Sequence, residues 1–260
     1  CTIATYSTSL FDEHGSRREN FLLADLFGVD FGGYSEYSIG YLDRIRSPLS
    51  NSLPEIPLLF KDTGYQSTSN NPPILCELRN DAEIAAYITN PIIEADWSKQ
   101  YHIFHDHSPP GHITDHPGLV INRFGKGVSL YIPLPYLESY AHLPNPWYRY
   151  LLRNMLQTVG IPSNCSITGP SSLRIVANRR GNDMVLHLMR IQQETGGILL
   201  EGEGTVEATC VVRPEHKAME VRNFVTGQAI PWRTGHDNAV RFTVNVNCHE
   251  IIVISSKMEG

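Results

Sequence analysis

The stretch GLVINRFGKGVSLYI, residues Gly118–Ile132, gives the clearest indication of the fold. Two short runs rich in apolar and β-branched residues, Gly118–Asn122 and Val128–Ile132, are typical of sheet strands. Between them, Arg123–Gly127 contains two glycines, which suit the backbone of a hairpin turn. The sequence therefore predicts a hairpin here, and a third run of the same type, Ile84–Ile88, predicts another sheet strand.

Helix signals precede and follow these strands. The stronger one extends from Trp147 to Val159, where apolar residues recur with a period of 3.6 residues. Asn145 is placed to cap its start and Gly160 to end it, and a shorter helix is predicted within Glu19–Phe27. Because one face of the longer helix must be buried, most simply on the sheet, residues 1–162 are predicted to form an α/β layer.

The last part of the chain, residues 163–260, has a different pattern. Several runs of strand type follow one another, with turn residues between them and no convincing helix. The clearest run alternates apolar and polar residues, which is typical of a strand with one wet face. Its apolar members are Val240, Phe242, Val244 and Val246, and its polar members are Arg241, Thr243 and Asn245. These features predict a small β-sandwich.

Composition excludes two classes of partner. The chain of 260 residues has a formal net charge of −6, so it lacks the basic surface that a nucleic-acid partner would require. Its longest apolar runs, such as Ile251–Ile254, are far too short to span a bilayer as a helix, so no membrane partner is predicted.

A histidine cluster between residues 102 and 116 is the first candidate site. In an extended segment His105 and His107 would point to the same side, and His116 could join them in a metal site if the chain folded back. Prolines and a glycine interrupt the segment, however, and no HExxH pattern or thiolate accompanies it. A polar loop whose histidines bond to its own backbone is the favoured alternative, and no cofactor is predicted.

Other patterns of catalytic chemistry are missing. Cys76 and Cys165 lack the small flanking residues of a nucleophile elbow, and no pair of carboxylates is marked as facing one cleft. No catalytic residue is therefore predicted. Aromatic residues offer a different possibility, because they can stack on sugar rings, although they can equally pack against neighbouring elements. The candidates for carbohydrate contact are Tyr34, Tyr37, Trp97 and Trp232.

Four segments carry a resemblance to a known family. They are Thr8–Gly15, Phe21–Val29, Asp115–Asn122 and Gly125–Tyr131. Together they resemble the β-galactosidase trimerisation domain, which follows the catalytic barrel in family 42 β-galactosidases and in hypothetical glycosyl hydrolases. The resemblance covers roughly residues 1–160. It implies a flavodoxin-type, class I glutamine amidotransferase-like fold for residues 1–162, without amidotransferase chemistry.

The same resemblance implies a role within a larger protein. An upstream (β/α)8 barrel would supply both catalytic carboxylates of a glycoside hydrolase, and the chain would begin inside the α/β domain, which would thus be truncated at its N-terminus. Residues 163–260 would be the accessory C-terminal β-sandwich, and the protein would form a homo-oligomer. The leading hypothesis is thus a non-catalytic assembly portion. The alternatives are a carbohydrate-binding module, with an oligosaccharide as partner, and a metal-dependent hydrolase built on the cluster His102–His116.

Overall fold

The computed structural model describes residues 1–61, 71–79, 81–92, 108–142, 145–161, 163–170, 172–191, 194–195, 198–199, 204–235 and 238–257. Within these ranges the chain is mostly β, with eighteen strands and three helices. It divides into two compact units, Cys1–Pro162 and Ser163–Gly260.

The first unit is built on a six-stranded sheet. In chain order the strands of this unit are β1 (Thr2–Thr5), β2 (Val29–Tyr34), β3 (Ile39–Asp43), β4 (Leu58–Lys61), β5 (Ile74–Leu78), β6 (Glu83–Pro91), β7 (Pro110–Phe124) and β8 (Gly127–Ile132). Its helices are α1 (Ala24–Phe27), α2 (Tyr136–His142) and α3 (Pro146–Thr158). The six-stranded sheet has the order β1-β8-β7-β6-β3-β4, and β2 pairs with β5 in a separate two-stranded sheet.

The central strands of the large sheet are buried on both faces. Leu130 and Ile132 of β8 pack in one core cluster with residues of α2 and α3. Tyr131, which lies between them, packs in a second cluster with residues of α1, β2 and β5. Leu119 and Val120 of β7 divide between the two clusters in the same way. Since successive side chains of a strand point to opposite faces, α2 and α3 cover one face and the β2–β5 pair with α1 covers the other.

The prediction of an α/β, flavodoxin-like layer for residues 1–162 is wrong. Such a layer requires parallel strands joined by crossover helices. In this sheet only β1 and β8 pair in parallel, and the other four pairs of neighbouring strands are antiparallel. The helix predicted within Glu19–Phe27 is reduced to the single turn Ala24–Phe27. The unit is therefore a mostly antiparallel β-structure, with α2 and α3 over one face and the β2–β5 pair with the short α1 over the other.

Several local predictions for this unit are confirmed. The hairpin joins β7 to β8, and Gly125 in its turn has a positive φ of 58°. Helix α3 begins at Pro146, and the Asn145 side chain accepts a hydrogen bond from the backbone N–H of Trp147. The run Ile84–Ile88 lies within β6.

Strand β7 is longer than the sequence predicts. It begins at Pro110, so residues 110–117, expected to be part of a polar loop, continue the strand. Its pairing with β6 has repeated register shifts, and such irregularities accommodate prolines within a sheet. A Cβ atom at Gly118 would lie only 2.7 Å from the backbone carbon of Tyr87, so this position needs a glycine for the two strands to approach.

The second unit consists mainly of two four-stranded antiparallel sheets. Its strands are β9 (Cys165–Thr168), β10 (Leu173–Arg180), β11 (Asp183–Arg190), β12 (Glu194–Thr195), β13 (Ile198–Leu199), β14 (Val206–Val212), β15 (Lys217–Asn223), β16 (Trp232–Thr234), β17 (Val240–Val246) and β18 (His249–Lys257). One sheet has the order β10-β11-β18-β15 and the other β16-β17-β14-β9, while β12 and β13 form a small pair of their own.

A single core lies between these two sheets. Strands from both contribute to it, including Leu186 of β11, Cys210 of β14 and Ile252 of β18. In β17 the apolar side chains at 240, 242 and 246 are buried and the polar ones at 241, 243 and 245 are exposed. The all-β, sandwich-like character predicted for residues 163–260 is therefore confirmed.

Candidate functional site

The structure places one of the three metal candidates. His105 and His107 lie outside the described residues. His116 lies in β7, partly buried, and its backbone N–H donates to Thr114 Oγ1 at 3.2 Å. Within the described ranges, no group of three or more His, Cys, Asp and Glu side chains is arranged to hold a metal ion. The metal site stays a prediction, and elemental analysis of protein purified without chelator or His-tag tests it.

The described acids are poorly suited to glycosidic acid catalysis. A general acid of this kind needs a carboxyl group whose pKa is raised, usually by burial. Among the residues that the structure describes, no Asp or Glu is buried. The best-held carboxylate is Asp30, which accepts from Arg79 Nε at 2.8 Å, and that hydrogen bond lowers its pKa. Asp30 is therefore an ionised partner of Arg79, not a proton donor.

The buried cysteine of the first unit is equally unsuited to nucleophilic attack. Cys76 lies in β5 within the second core cluster, and burial raises the pKa of its thiol to about 12. A reactive cysteine needs a lowered pKa, because the thiolate is the nucleophile. Cys76 is a neutral core residue at neutral pH, as the sequence indicates.

Three of the aromatic candidates belong to the first unit, and two of them lie among the described residues. Tyr34 ends β2, remains 38% exposed, and packs edge-to-face with Phe31 at a centroid distance of 5.3 Å. Tyr37 lies between β2 and β3, partly buried, and its backbone N–H donates to Ser35 Oγ at 3.1 Å. Trp97 lies outside the described residues. The contact with Phe31 shows that Tyr34 has a packing role, and its exposure leaves part of the ring open to solvent.

The fourth aromatic candidate lines a groove of the β-sandwich. Trp232 begins β16, the edge strand of its sheet, and lies directly opposite Phe242 of β17. The groove has a volume of about 670 Å³. Besides Trp232, its lining includes Thr209, Val211, Arg233, Arg241 and Thr243. None of the described residues that line it is an acid, a histidine or a cysteine.

Strand register explains how the groove is composed. Phe242 is a core residue, and its cross-strand neighbour Trp232 packs partly against the same core. Arg233, the next residue of β16, points to the opposite side, where it faces Arg241. The groove therefore takes in residues from both sides of the edge strand, an indole on one and two guanidinium groups on the other.

Two hydroxyl groups continue the polar side of the groove. Thr209 of β14 and Thr243 of β17 are paired in register, both are exposed, and their Oγ1 atoms are 3.4 Å apart. Hydroxyls donate and accept hydrogen bonds, guanidinium groups donate, and an indole ring offers an apolar face. This arrangement can bind a polar, ring-shaped molecule, and the described part of its lining includes no group that could cleave one.

Part of this groove can be predicted from the sequence. The alternation within β17 predicts that Arg241 and Thr243 lie on the wet face of the strand, and Trp232 is a predicted carbohydrate contact. Arg233 and Thr209 cannot be connected with them in this way, because these residues meet only through the pairing of β17 with its two neighbours. Nothing in the spacing along the chain signals that pairing.

Among the helices that the structure describes, none is long and apolar enough to cross a membrane. No protein-family model matches the sequence, and no curated protein matches it either.

Solved structures, however, share the fold. α-L-fucosidase isoenzyme 2 from Paenibacillus thiaminolyticus superposes with a TM-score of 0.73 at 16% identity, covering 98% of this chain and 36% of the fucosidase. Gan42B, a GH42 β-galactosidase from G. stearothermophilus, gives a TM-score of 0.55 at 12% identity, covering 98% of this chain and 28% of its own. The β-galactosidase of Bacillus circulans sp. alkalophilus gives 0.56 at 12% identity, with 97% and 29% covered.

These likenesses concern a part of each larger enzyme. The chain spans about a third of the fucosidase and less than a third of each β-galactosidase. At such low identity they show a common fold and no more. The chain has a fold that is shared with portions of glycoside hydrolases.

Proposed function

We propose that this chain is a non-catalytic, assembly-forming portion of a glycoside hydrolase-like protein, whose catalytic (β/α)8 barrel lies upstream in the same protein. The observation that carries the proposal is the match to the fucosidase, in which nearly all of this chain corresponds to 36% of the enzyme. In such a protein the residues that break the glycosidic bond would belong to the remaining length.

The chemistry of the described residues supports an accessory role. Glycosidic hydrolysis uses two carboxyl groups about 5–10 Å apart, one of them with a raised pKa. No described Asp or Glu is buried, and the pKa of Asp30 is lowered by Arg79. The groove of the second unit carries basic and hydroxyl groups instead.

The proposed homo-oligomer is supported by an apolar surface on the helices of the first unit. Leu137 and Tyr140 are 58% and 41% exposed and lie three residues apart, so they share one face of α2. Tyr150 of α3 is 37% exposed. Exposed apolar and aromatic side chains of this kind are enriched in protein interfaces.

Two measurements test this proposal. The purified 260-residue chain is expected to give no turnover of aryl fucosides or galactosides above buffer, with the complete protein as positive control. Light scattering after size exclusion is expected to show an oligomer that Leu137→Glu and Tyr140→Glu dissociate, while Gln157→Glu, at an exposed position of α3, does not. Turnover by the chain alone would contradict the non-catalytic role, and a monomeric complete protein would contradict assembly.

A second candidate function is the binding of an oligosaccharide without cleavage. It is favoured by the groove of about 670 Å³ that contains Trp232. Calorimetry with a panel of oligosaccharides is expected to give a heat of binding that Trp232→Ala abolishes. Parallel variants of Tyr34, Tyr37 and Trp97 determine whether these aromatics contribute. A complete absence of heat across the panel would rule out this function.

A further inference from the structure

The two arginines of the groove face each other across a strand pair. Arg233 of β16 and Arg241 of β17 are in register, and both are exposed. Each guanidinium group carries five N–H donors, so an exposed arginine can donate to a ligand as well as to the protein. Two of them in register can donate to the same negatively charged group.

Guanidinium groups specify the kind of negative charge. Each presents a planar fork of N–H donors that matches the two oxygens of a carboxylate, or two oxygens of a sulfate. The hydroxyls of Thr209 and Thr243 lie on the same wet face and can bond to the hydroxyls of a sugar ring. Trp232 adds an apolar surface at the other side of the edge strand.

From this arrangement we propose that the groove recognises an acidic glycan, whose carboxylate or sulfate group is held by Arg233 and Arg241. This inference rests on the proposed binding of an oligosaccharide and names its chemical class. The attraction is local, because the chain as a whole carries a formal net charge of −6 and repels polyanions at long range.

The position of an acidic residue, Glu207, determines which end of the groove the anionic group of the ligand occupies. Glu207 is exposed on the same face of β14, four residues from Val211, which pairs with Arg241. At about 3.3 Å per residue, Glu207 lies roughly 13 Å along the strand from the row of arginines. The anionic group therefore belongs at the arginine end of the groove, and the neutral rings extend toward the threonines.

Calorimetry on the 260-residue chain tests the proposal with three probes of similar length: a galacturonate oligosaccharide, a sulfated galactan oligosaccharide and a neutral galacto-oligosaccharide. At least one acidic probe is expected to bind ten times more tightly than the neutral one, and comparison of the two acidic probes identifies carboxylate or sulfate. Arg233→Gln and Arg241→Gln are each expected to weaken the acidic probe at least tenfold, or about 1.4 kcal/mol. The matched control is Arg180→Gln, an exposed arginine of β10 in the other sheet, which is expected to leave binding unchanged.

Lysine variants distinguish the guanidinium fork from charge alone. Arg233→Lys retains the charge and loses the bidentate geometry, so its affinity is expected to fall between wild type and Arg233→Gln. It also serves as the test variant where the glutamine substitution impairs folding, which circular dichroism checks. Raising the salt concentration is expected to weaken the acidic probe more than the neutral one.

The possible outcomes separate the two proposals. Equal affinity for neutral and acidic probes would overturn the acidic-glycan inference and leave oligosaccharide binding intact. Failure of all three probes to bind would count against both. Acidic binding that Arg180→Gln weakens as much as Arg233→Gln would reflect diffuse charge attraction and would also overturn the inference.

Discussion

The buried side chain of Asn154 attaches α3 to the loop that follows β3. It is only 2% exposed, and its Nδ2 atom donates to the carbonyl of Leu49 at 2.8 Å and to that of Asn51 at 2.7 Å. A single side chain thus ties the helix to a segment more than a hundred residues earlier. We predict that Asn154→Ala destabilises the first unit substantially.

The magnitude follows from the two carbonyl groups that lose their donor. Leu49 is 1% exposed, so its carbonyl has little access to water, and leaving it unsatisfied costs about 1–3 kcal/mol. Asn51 is exposed, so water can replace the lost donor there and the cost is nearer 1 kcal/mol. Together the free energy of unfolding is expected to fall by about 2–4 kcal/mol.

Urea unfolding followed by tryptophan fluorescence measures this change. In a Trp232→Phe background the remaining tryptophans, Trp97 and Trp147, both belong to residues 1–162, so the signal reports on the first unit. The matched control is Gln157→Ala, an exposed position one turn further along α3. It is expected to change the midpoint little, because alanine is a good helix former and no buried bond is lost.

An isosteric variant isolates the role of the donor. Asn154→Asp retains the shape and loses both N–H donors. It places a carboxylate beside two carbonyl oxygens, while the Arg153 guanidinium, which donates to Oδ1 of Asn154 at 3.2 Å, remains a partner. The variant is expected to destabilise the unit at neutral pH, and less at acidic pH, where a protonated carboxyl can donate one bond. If Asn154→Ala and Gln157→Ala differed by less than about 0.5 kcal/mol, the two hydrogen bonds would not carry the stability assigned to them.

Three further predictions concern the first unit. Gly28→Ala is expected to cost about 2–4 kcal/mol in urea unfolding, because φ is +74° and a Cβ would lie 2.6–2.8 Å from neighbouring side-chain carbons. Asn145→Ala removes the cap of α3 and is expected to cost about 1 kcal/mol by the same measurement. The hydrogen bond from Arg79 lowers the pKa of Asp30 below its ordinary 3.8. The ionised Asp30 therefore stabilises the fold above that pH, and this stabilisation is lost as pH falls through the lowered pKa. Unfolding midpoints at successive pH values are expected to show less of this loss in Arg79→Gln.

Each of these has its own control. Gly125→Ala shares the positive φ, here 58°, but a Cβ meets nothing within 4 Å, so only the conformational cost of about 1–2 kcal/mol is expected. An equal loss for both glycines would contradict the steric argument. Asn145→Ser keeps a capping oxygen and should retain most of the stability. Identical acid sensitivity in wild type and Arg79→Gln would show that Asp30 is not the group responsible.

Elements whose signals lie within a few residues could be predicted from the sequence. Helix α3 combines a capping residue, an apolar stripe and a terminating glycine within sixteen positions, from Asn145 to Gly160, and each of these acts locally. The hairpin of β7 and β8 depends similarly on one turn. By contrast, the helix expected over Glu19–Phe27 forms a single turn, because Leu22 and Leu23 remain exposed and no apolar stripe extends it.

The candidate groove depends on the register in which neighbouring strands pair, and the sequence predicts this register only weakly. The alternation of apolar and polar residues within β17 correctly predicts that Arg241 and Thr243 lie outside the core. The approach of Arg233 requires β16 to pair with one particular side of β17 in one particular register. A shift of one residue would put Trp232 on the wet face instead, and local composition does not exclude that arrangement.

The error in fold class does not come from the hairpin. The α/β layer is inferred from the amphipathic helix Trp147–Val159, and its flavodoxin type from the family resemblance. The apolar runs Gly118–Asn122 and Val128–Ile132 are compatible with that layer, because such runs are usual in parallel sheets covered by helices on both faces. Here the antiparallel pair β7–β8 is covered by α2 and α3 on one side and by β2, β5 and α1 on the other. An apolar run therefore reports that both faces of a strand are buried. It does not report the direction of pairing, which in this unit follows from the tight turn at Gly125 and from a second β-layer assembled from distant segments.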